Sequence, residues 1–326
     1  MKLFEAVPNL SQGRDTAWLA QATQLLQGRP GLWLLGVDAG TDANRSVFTL
    51  VGEGPAMAQG LFDLYAFAAE SLDMNQHQGN HPVIGALDVC PLVPLAQSSM
   101  ADAQALALHL GEQVSTRLAI PLYLYQNSSL IQPSRSLSQI RKGGFTQLAR
   151  RMFNGNRPDL GPHQPHPRFG AGVLGARPLM IAYNINLSRA DLEQARALAH
   201  QLRNLRDQPE STRLQGVELL GWWLDRFHLA QISCNLRQYQ ICGMADVFFE
   251  VKRQAARMDI SVTGSELVGL TPLNALLETR YSDPLAEASA LDEALLSLGL
   301  GDLQDFDPAT KILEYRLQAL GGPCEI

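Results

Sequence analysis

The sequence predicts an α/β (α+β) protein built from two halves of one design, and three observations carry that prediction. Segments with strand character and segments with helix character follow one another as strand, helix, strand, strand, helix, strand in each half. Their apolar positions change from alternation to the three-and-four spacing of a helix at each switch. A stretch dense in Gly, Pro and Asn, RMFNGNRPDLGPHQPHPRFGAGVLGAR, separates the halves.

In the first half KLFEAVP reads as a strand, Gly13 to Gln27 as a helix, and LWLLGVD and SVFTLVG as two strands. GPAMAQGLFDLYAFAAESL has helical periodicity with Gly-Pro at its start, and ALDVCPLVPL returns as a strand. A further helix, MADAQALALHLGEQVSTRL, and a strand, IPLYLY, extend this half. The second half opens with the apolar strand PLMIAYNINL and a helix marked by Ser188 and Asp191 that runs to about Leu205. Strands GVELLGWWL and LAQISCNL, a helix from about Tyr239 to Met258 and a short strand at ISVTG complete it. The repeated order is that of duplicated ferredoxin-like βαββαβ subdomains with mixed sheets, spanning residues 1–177 and 178–326. Two such halves leave a cleft between them, a favoured place for a small ligand. The first ends in the Gly/Pro-rich segment, read as a ligand loop because long irregular stretches in compact chains carry function. GGPCEI is read as a frayed end.

Composition excludes several classes. The chain has 326 residues, 46% hydrophobic and 18% charged, enough for a substantial core. A net charge of −6 without a basic run gives no phosphate-backbone footprint, so nucleic acid is not expected as a partner. Apolar stretches break before the roughly 20 residues of a membrane span, and MKLFEAVPNL lacks a signal-peptide core, which points to the cytoplasm and away from the membrane. Cys90, Cys234, Cys242 and Cys324 form no CxxC pair and read as small buried apolar residues.

Chemistry concentrates in polar clusters at element ends. In VPNLSQGR, Ser11 is a candidate helix cap while Asn9 stands at the strand end. In VDAGTDANR, Asp38 ends a strand and Asn44-Arg45 precede the next; a solvated hairpin and a site for a cationic group both fit. His77 and His81 share the segment HQGNHPVIGALDVCPLVP. Four-residue spacing suits two metal ligands on a helix, but Gly79 and Pro82 disfavour that helix and HExxH is absent, which favours one histidine in acid–base work. Asp88 either orients His81 or satisfies local backbone. His163 and His166 lie in the central segment, facing a ligand or solvent. Gly170 to Arg177 is read as a loop whose glycines let the backbone pass close to a flat ligand, since it lacks the strand-to-helix context of a dinucleotide loop. Asn184 and Asn186 alternate on an apolar strand, so both face one side and need partners.

Taken in order, EAVPNLSQGR, GVDAGTDANRSV, HQGNHPVIGALDVCPLVP, FGAGVLGARP, AYNINL, QISCNL and GSELVGL resemble the motifs of glutamate formimidoyltransferases, the formiminotransferase portion of the bifunctional formiminotransferase-cyclodeaminase. The resemblance covers nearly the whole chain and implies a stand-alone transferase. It implies transfer of the formimino group from N-formimino-L-glutamate to N5 of tetrahydrofolate in histidine degradation, with tetrahydrofolate as co-substrate, no metal, and a homodimer with folate held between the subdomains. It places the catalytic histidine at His81 and the folate-contacting loop at about Pro167 to Arg177, with Gly170, Ala171, Gly172 and Gly175.

On that resemblance His81, with a near-neutral pKa, takes the proton from N5 and returns it to the glutamate nitrogen. Asp38 holds the formimino group or orients the ring. Arg45, Arg177 or Lys142 pair with substrate carboxylates, and Asn9, Asn44, Asn184, Asn186 and Asn235 face the substrates. Gln12, Gln78 and Asn80 replace the Glu, Lys and Glu common in the family. They leave two alternatives open: a folate-dependent transferase using another N-formimino or N-formyl donor, and a folate-binding protein without catalysis.

Overall fold

The structure, a computed structural model, describes residues 1–41, 43–131, 134–209, 211–277 and 283–323. Cys324 therefore lies outside the described residues, as does the end of GGPCEI. The chain divides into two compact units, one of Met1–Pro178 with the residues from Leu320, the other of Leu179–Ala319.

The first unit contains β1 (Leu3–Ala6), β2 (Asn9–Leu10), α1 (Thr16–Leu26), β3 (Leu32–Gly40), β4 (Arg45–Glu53), α2 (Gly54–Ser71), β5 (Leu87–Pro94), α3 (Met100–Arg117), β6 (Leu122–Leu124), α4 (Leu137–Arg141), α5 (Leu148–Phe153) and β7 (Gly172–Ala176). β1 and β2 are one strand interrupted at Val7-Pro8, where proline has no N–H for a ladder; the Pro8 carbonyl instead accepts from Phe48. This split strand runs antiparallel between β4 and β5, and β3 lies outside β4. That is the order of a ferredoxin-like sheet. β7 and β6 then extend it, parallel to β5.

Helices α1, α2 and α3 cover one face, burying Leu26, Leu61, Tyr65 and Leu110 against Phe48, Leu50, Cys90 and Leu92. At the β5–β7–β6 end the opposite face is covered as well: Ile140, Leu148 and Met152 of α4 and α5 pack on Val89, Tyr123 and Val173. The central segment thus supplies core as well as loop. Its glycines correct the reading of a loop opened for a ligand, because Gly172 and Gly175 are buried within β7. A Cβ on Gly175 would stand 2.4 Å from the Tyr125 carbonyl, so the close approach this glycine permits is to the backbone that follows β6. Gly170, at φ 85°, makes the turn into that strand, and Ala171 packs in the same core.

Helix α1 also corrects an expectation. Its cap is Asp15, whose carboxylate accepts from Trp18 N–H at 2.9 Å, while the Ser11 hydroxyl donates to the Gly85 carbonyl at 2.7 Å. Gln12 adds a second acceptor there for the N–H groups of Arg14 and Asp15.

The second unit contains β8 (Ile181–Ser188), α6 (Leu192–Arg206), β9 (Val217–Leu224), β10 (Leu229–Leu236), α7 (Met244–Ala256), β11 (Ser261–Val268), α8 (Pro284–Leu298), α9 (Pro308–Lys311) and α10 (Leu313–Ala319). Its sheet runs β11-β8-β10-β9, antiparallel throughout, the same order as in the first unit. Tyr183, Ile185, Ile232 and Cys234 point to α6 and α7, meeting Leu198, Leu202, Val247 and Val251. Helix α7 begins later than the sequence suggests: residues 239–242 turn back on the Gln238 carbonyl, and Asp246 caps the Gly243 N–H. β11 runs on through GSELV after a register shift between Val262 and Gly264. Among the described residues no helix is long and apolar enough to cross a membrane.

Candidate active site

Three pieces of the first unit meet around His81. The β3–β4 hairpin closes on Asn44, held at φ 46°, a region that short polar side chains tolerate. Its carboxamide oxygen accepts from Gly13 N–H at 3.0 Å and its Nδ2 donates to the Gln78 carbonyl at 3.0 Å. That second bond seats the His77–Pro82 loop on the hairpin. Gly79 makes the seating possible, because a Cβ there would stand 2.2 Å from the Ala43 carbonyl.

The next residue, Arg45, begins β4 and projects to the sheet face opposite α1 and α2. Its Nη1 donates to His81 Nε2 at 2.8 Å and lies 3.4 Å from Nδ1, and its Nη2 donates to the Asn9 carboxamide oxygen. Asn9 is fixed in turn by its Nδ2 bond to the Val7 carbonyl at 2.6 Å. Asp38 and Asn9 both lie opposite Val47, one on each side of β4, so Asp38 shares the face of Asn9 and Arg45.

The third piece is a buried ion pair. Asp88, 1% exposed, accepts from Ile84 N–H at 2.8 Å and binds the Arg141 guanidinium at the end of α4. Of the two roles open to Asp88, the structure places it on local backbone and on Arg141. Arg141 was not foreseen from the sequence, which pointed to its neighbour Lys142; Lys142 is exposed at the C-terminus of α4. The available signal was Asp88 itself, a carboxylate in an apolar strand that required a cationic partner.

The electrostatics depart from expectation. His81 is pushed down to about 3, first by burial and then by the Arg45 and Arg141 guanidiniums, where a near-neutral ring was expected. The imidazole is therefore neutral at physiological pH and offers a lone pair. Arg45 itself is lowered to about 10, chiefly by burial and by Arg141, with Asp88 opposing. His77 is lowered by burial as well. A cavity of about 880 Å³ opens beside His81, walled by His77, Gln78, Asn80, Phe145 and His166 among others. His166 accepts from Phe169 N–H through Nδ1 at 3.0 Å, which leaves the neutral ring's proton on Nε2 as a donor.

The remaining expected residues lie elsewhere. Arg177 follows β7, donates to the Pro178 carbonyl at 2.8 Å and offsets part of the burial effect on Glu5. In the second unit Asn184 and Asn186 do share one face. Asn186 Nδ2 donates to Asp302 at 2.9 Å, Gln231 donates to Asn186 at 2.8 Å and to Glu266 at 3.2 Å, and Asn184 reaches Glu266 at 3.5 Å. Asn235 is on this face too but turns to Glu218 at 3.5 Å. Gln231 was not foreseen, though as the Gln of QISCNL it stands at an alternate position to Ser233 and Asn235. Its Oε1 is buried without a partner among the described residues.

Comparison with known proteins agrees with the motif reading. The profile of the formiminotransferase domain, N-terminal subdomain, matches residues 3–177, and that of the formiminotransferase domain matches residues 182–318. The formimidoyltransferase-cyclodeaminase of Rattus norvegicus is 37% identical over 96% of this chain, which spans 60% of that longer protein. The glutamate formimidoyltransferase of Thermoplasma acidophilum is 34% identical over 85% of this chain and 91% of its own length. That of Streptococcus pyogenes serotype M1 is 31% identical over the same shares. The chain belongs to the formiminotransferase family.

Proposed function

We propose that the protein transfers the formimino group of N-formimino-L-glutamate to N5 of tetrahydrofolate, releasing L-glutamate, with His81 as the proton carrier. The observation that carries this reading is a neutral imidazole on the wall of a cavity of about 880 Å³, hydrogen-bonded through Nε2 to a buried guanidinium. N5 attacks the formimino carbon, and a tetrahedral adduct forms. His81 takes the proton that N5 loses and delivers it to the glutamate nitrogen as the carbon–nitrogen bond to glutamate breaks. The atoms balance with one base and no net proton change. Arg45 and Arg141 both act on the ring, and Asp88 is engaged by Arg141, so Arg45 is the guanidinium placed to receive a substrate carboxylate. The Nε2–H of His166 and the amides of Gln78 and Asn80 are donors for the polar edge of either substrate.

The family resemblance adds a cytoplasmic homodimer to this reading, testable by sedimentation of the purified chain. The reaction is tested by mixing protein, tetrahydrofolate and formiminoglutamate and following 5-formiminotetrahydrofolate alongside a His81→Ala variant. Turnover in the parent that falls roughly 10²- to 10⁴-fold in the variant is expected. Tetrahydrofolate binding without turnover would move the assignment to another N-formimino or N-formyl donor, or to folate binding alone.

A further inference from the structure

We propose that Arg45 is a donor-operated switch on His81: a carboxylate of the amino-acid donor draws Nη1 away from His81 Nε2 and frees the ring to act as base. The proposal rests on the formimino-transfer reading and adds an order of events to it.

The lone pair that a general base needs is on Nε2 of His81, and in this structure Arg45 Nη1 occupies it at 2.8 Å. With that bond in place the ring cannot also accept a proton from N5. Asp88 attracts Arg45 through space but forms its ion pair with Arg141, so the hydrogen bonds of the Arg45 guanidinium go to uncharged groups. Arg141 has Asp88, but Arg45 is held by two neutral acceptors, Asn9 and His81, and its Nε is buried without a partner. A carboxylate is a stronger acceptor for a guanidinium than an imidazole, and it can take two N–H groups at once. The ligand best able to compete for Arg45 is therefore an anion, and the amino-acid donor is a dicarboxylate. The cavity beside His81 admits it.

The groups around the ring set the outcome of that exchange. Arg45 faces His81 from β4 and Arg141 from α4, with Asp88 of β5 against Arg141, Asn9 of β2 against Arg45 and His77 in the same loop. Pairing Arg45 with a carboxylate removes its hydrogen bond from the lone pair and cancels its share of the positive field. The base becomes available only when the donor is bound, so N5 of the folate is not deprotonated in its absence. Arg45 thus binds the donor carboxylate itself and governs the proton transfer through His81.

The test is ¹⁵N-histidine labelling of the full chain, with long-range proton–nitrogen spectra recorded as L-glutamate, an unreactive carboxylate probe, is added to saturation verified by calorimetry. The His81 Nε2 signal is expected to move on binding, and the ring's proton affinity to rise roughly tenfold or more. Arg45→Met should show in its free state the His81 signal that the parent reaches only with glutamate, should not respond further, and should raise KM for formiminoglutamate roughly tenfold or more. Arg45→Lys, which keeps the charge, controls for folding and should also lose the response. Arg177→Met and Lys142→Met should keep it. Glutamate that binds without moving the His81 signal overturns the switch, as does an Arg45→Met protein whose free signal matches the parent. A chain that turns over while its signal stays fixed loses the switch and keeps the function; a chain whose signal moves without turnover does the reverse.

Discussion

Arg45 donates to Nε2 of His81 at 2.8 Å, joining the first residue of β4 to the loop that leads into β5. The contact is between residues 36 apart in sequence, and both ends are fixed by backbone. Asn44 anchors the loop carbonyl of Gln78, and the β2–β4 pairing sets Asn9 beside the guanidinium. A cation against a neutral ring has consequences for acid stability, for folding and for turnover.

The first concerns acid. Folded His81 binds its proton only near pH 3, against an ordinary value of 6.5, so between those values the unfolded chain holds more protons. Stability on this account is complete above 6.5 and is lost as pH falls toward 3. His81→Gln removes the slope. Urea unfolding of parent and variant at about pH 7 and about pH 4.5 should show the variant gaining on the parent at the lower value. A stability difference that does not change with pH would contradict the depressed ring.

A second prediction isolates the ion pair. Asp88→Asn keeps an acceptor for Ile84 N–H but leaves the largely buried Arg141 charge without its partner. Removing one partner of a buried pair costs about 3–5 kcal/mol, which denaturant unfolding would register directly. A loss under about 1 kcal/mol would mean that Arg141 finds water or another acceptor.

Much of this was legible in the sequence, and the remainder was not for identifiable reasons. The two ferredoxin-like orders follow from alternation in segments such as VELLGWWL and from helical spacing in α2, both of which are local. Asp15 holds the cap expected of Ser11 because both residue types cap well, and only the fold brings Gly85 to the Ser11 hydroxyl. The glycines of FGAGVLGAR looked like a ligand loop because sequence cannot distinguish a close approach to a ligand from a close approach to Tyr125. His81 was visible through its motif, but its depressed basicity depends on Arg141, which stands 60 residues away and was invisible as a partner. Helices α8 to α10 were not anticipated, although Asp283-Pro284 and Gly299, at φ 58°, are ordinary start and stop signals.

A third prediction uses the seat of the loop. Gly79→Ala places a Cβ 2.2 Å from the Ala43 carbonyl, a backbone atom, so the loop must lift from the hairpin and carry His81 with it. Gly79 is exposed and outside the core, so global stability should fall by no more than about 1–3 kcal/mol. Turnover should fall roughly a hundredfold, the scale expected when a catalytic group is displaced by about an ångström. Unaltered kcat together with lowered stability would show that the loop's position does not matter to the chemistry.

The last prediction concerns Glu5, a carboxylate 4% exposed in the middle of the first sheet. Burial raises it from an ordinary 4.5 to about 7, with Arg177 opposing. Because the folded chain holds this proton more tightly, the contribution of Glu5 to stability is fully present below 4.5 and is lost as pH rises through about 7. The loss above that value is on the order of 3 kcal/mol, at about 1.36 kcal/mol per unit. Glu5→Gln keeps the shape and never ionises. It should therefore match the parent to within a constant offset at about pH 4.5 and become progressively more stable than the parent toward about pH 8.5, in urea unfolding at each value. A pH-independent difference would mean that Arg177 fully compensates the buried charge and holds Glu5 ionised across the range. Arg177→Met separates the two cases: without the guanidinium the parent-like Glu5 should lose still more stability at alkaline pH, whereas a chain in which Glu5 is already protonated near neutrality should be little affected below about pH 6.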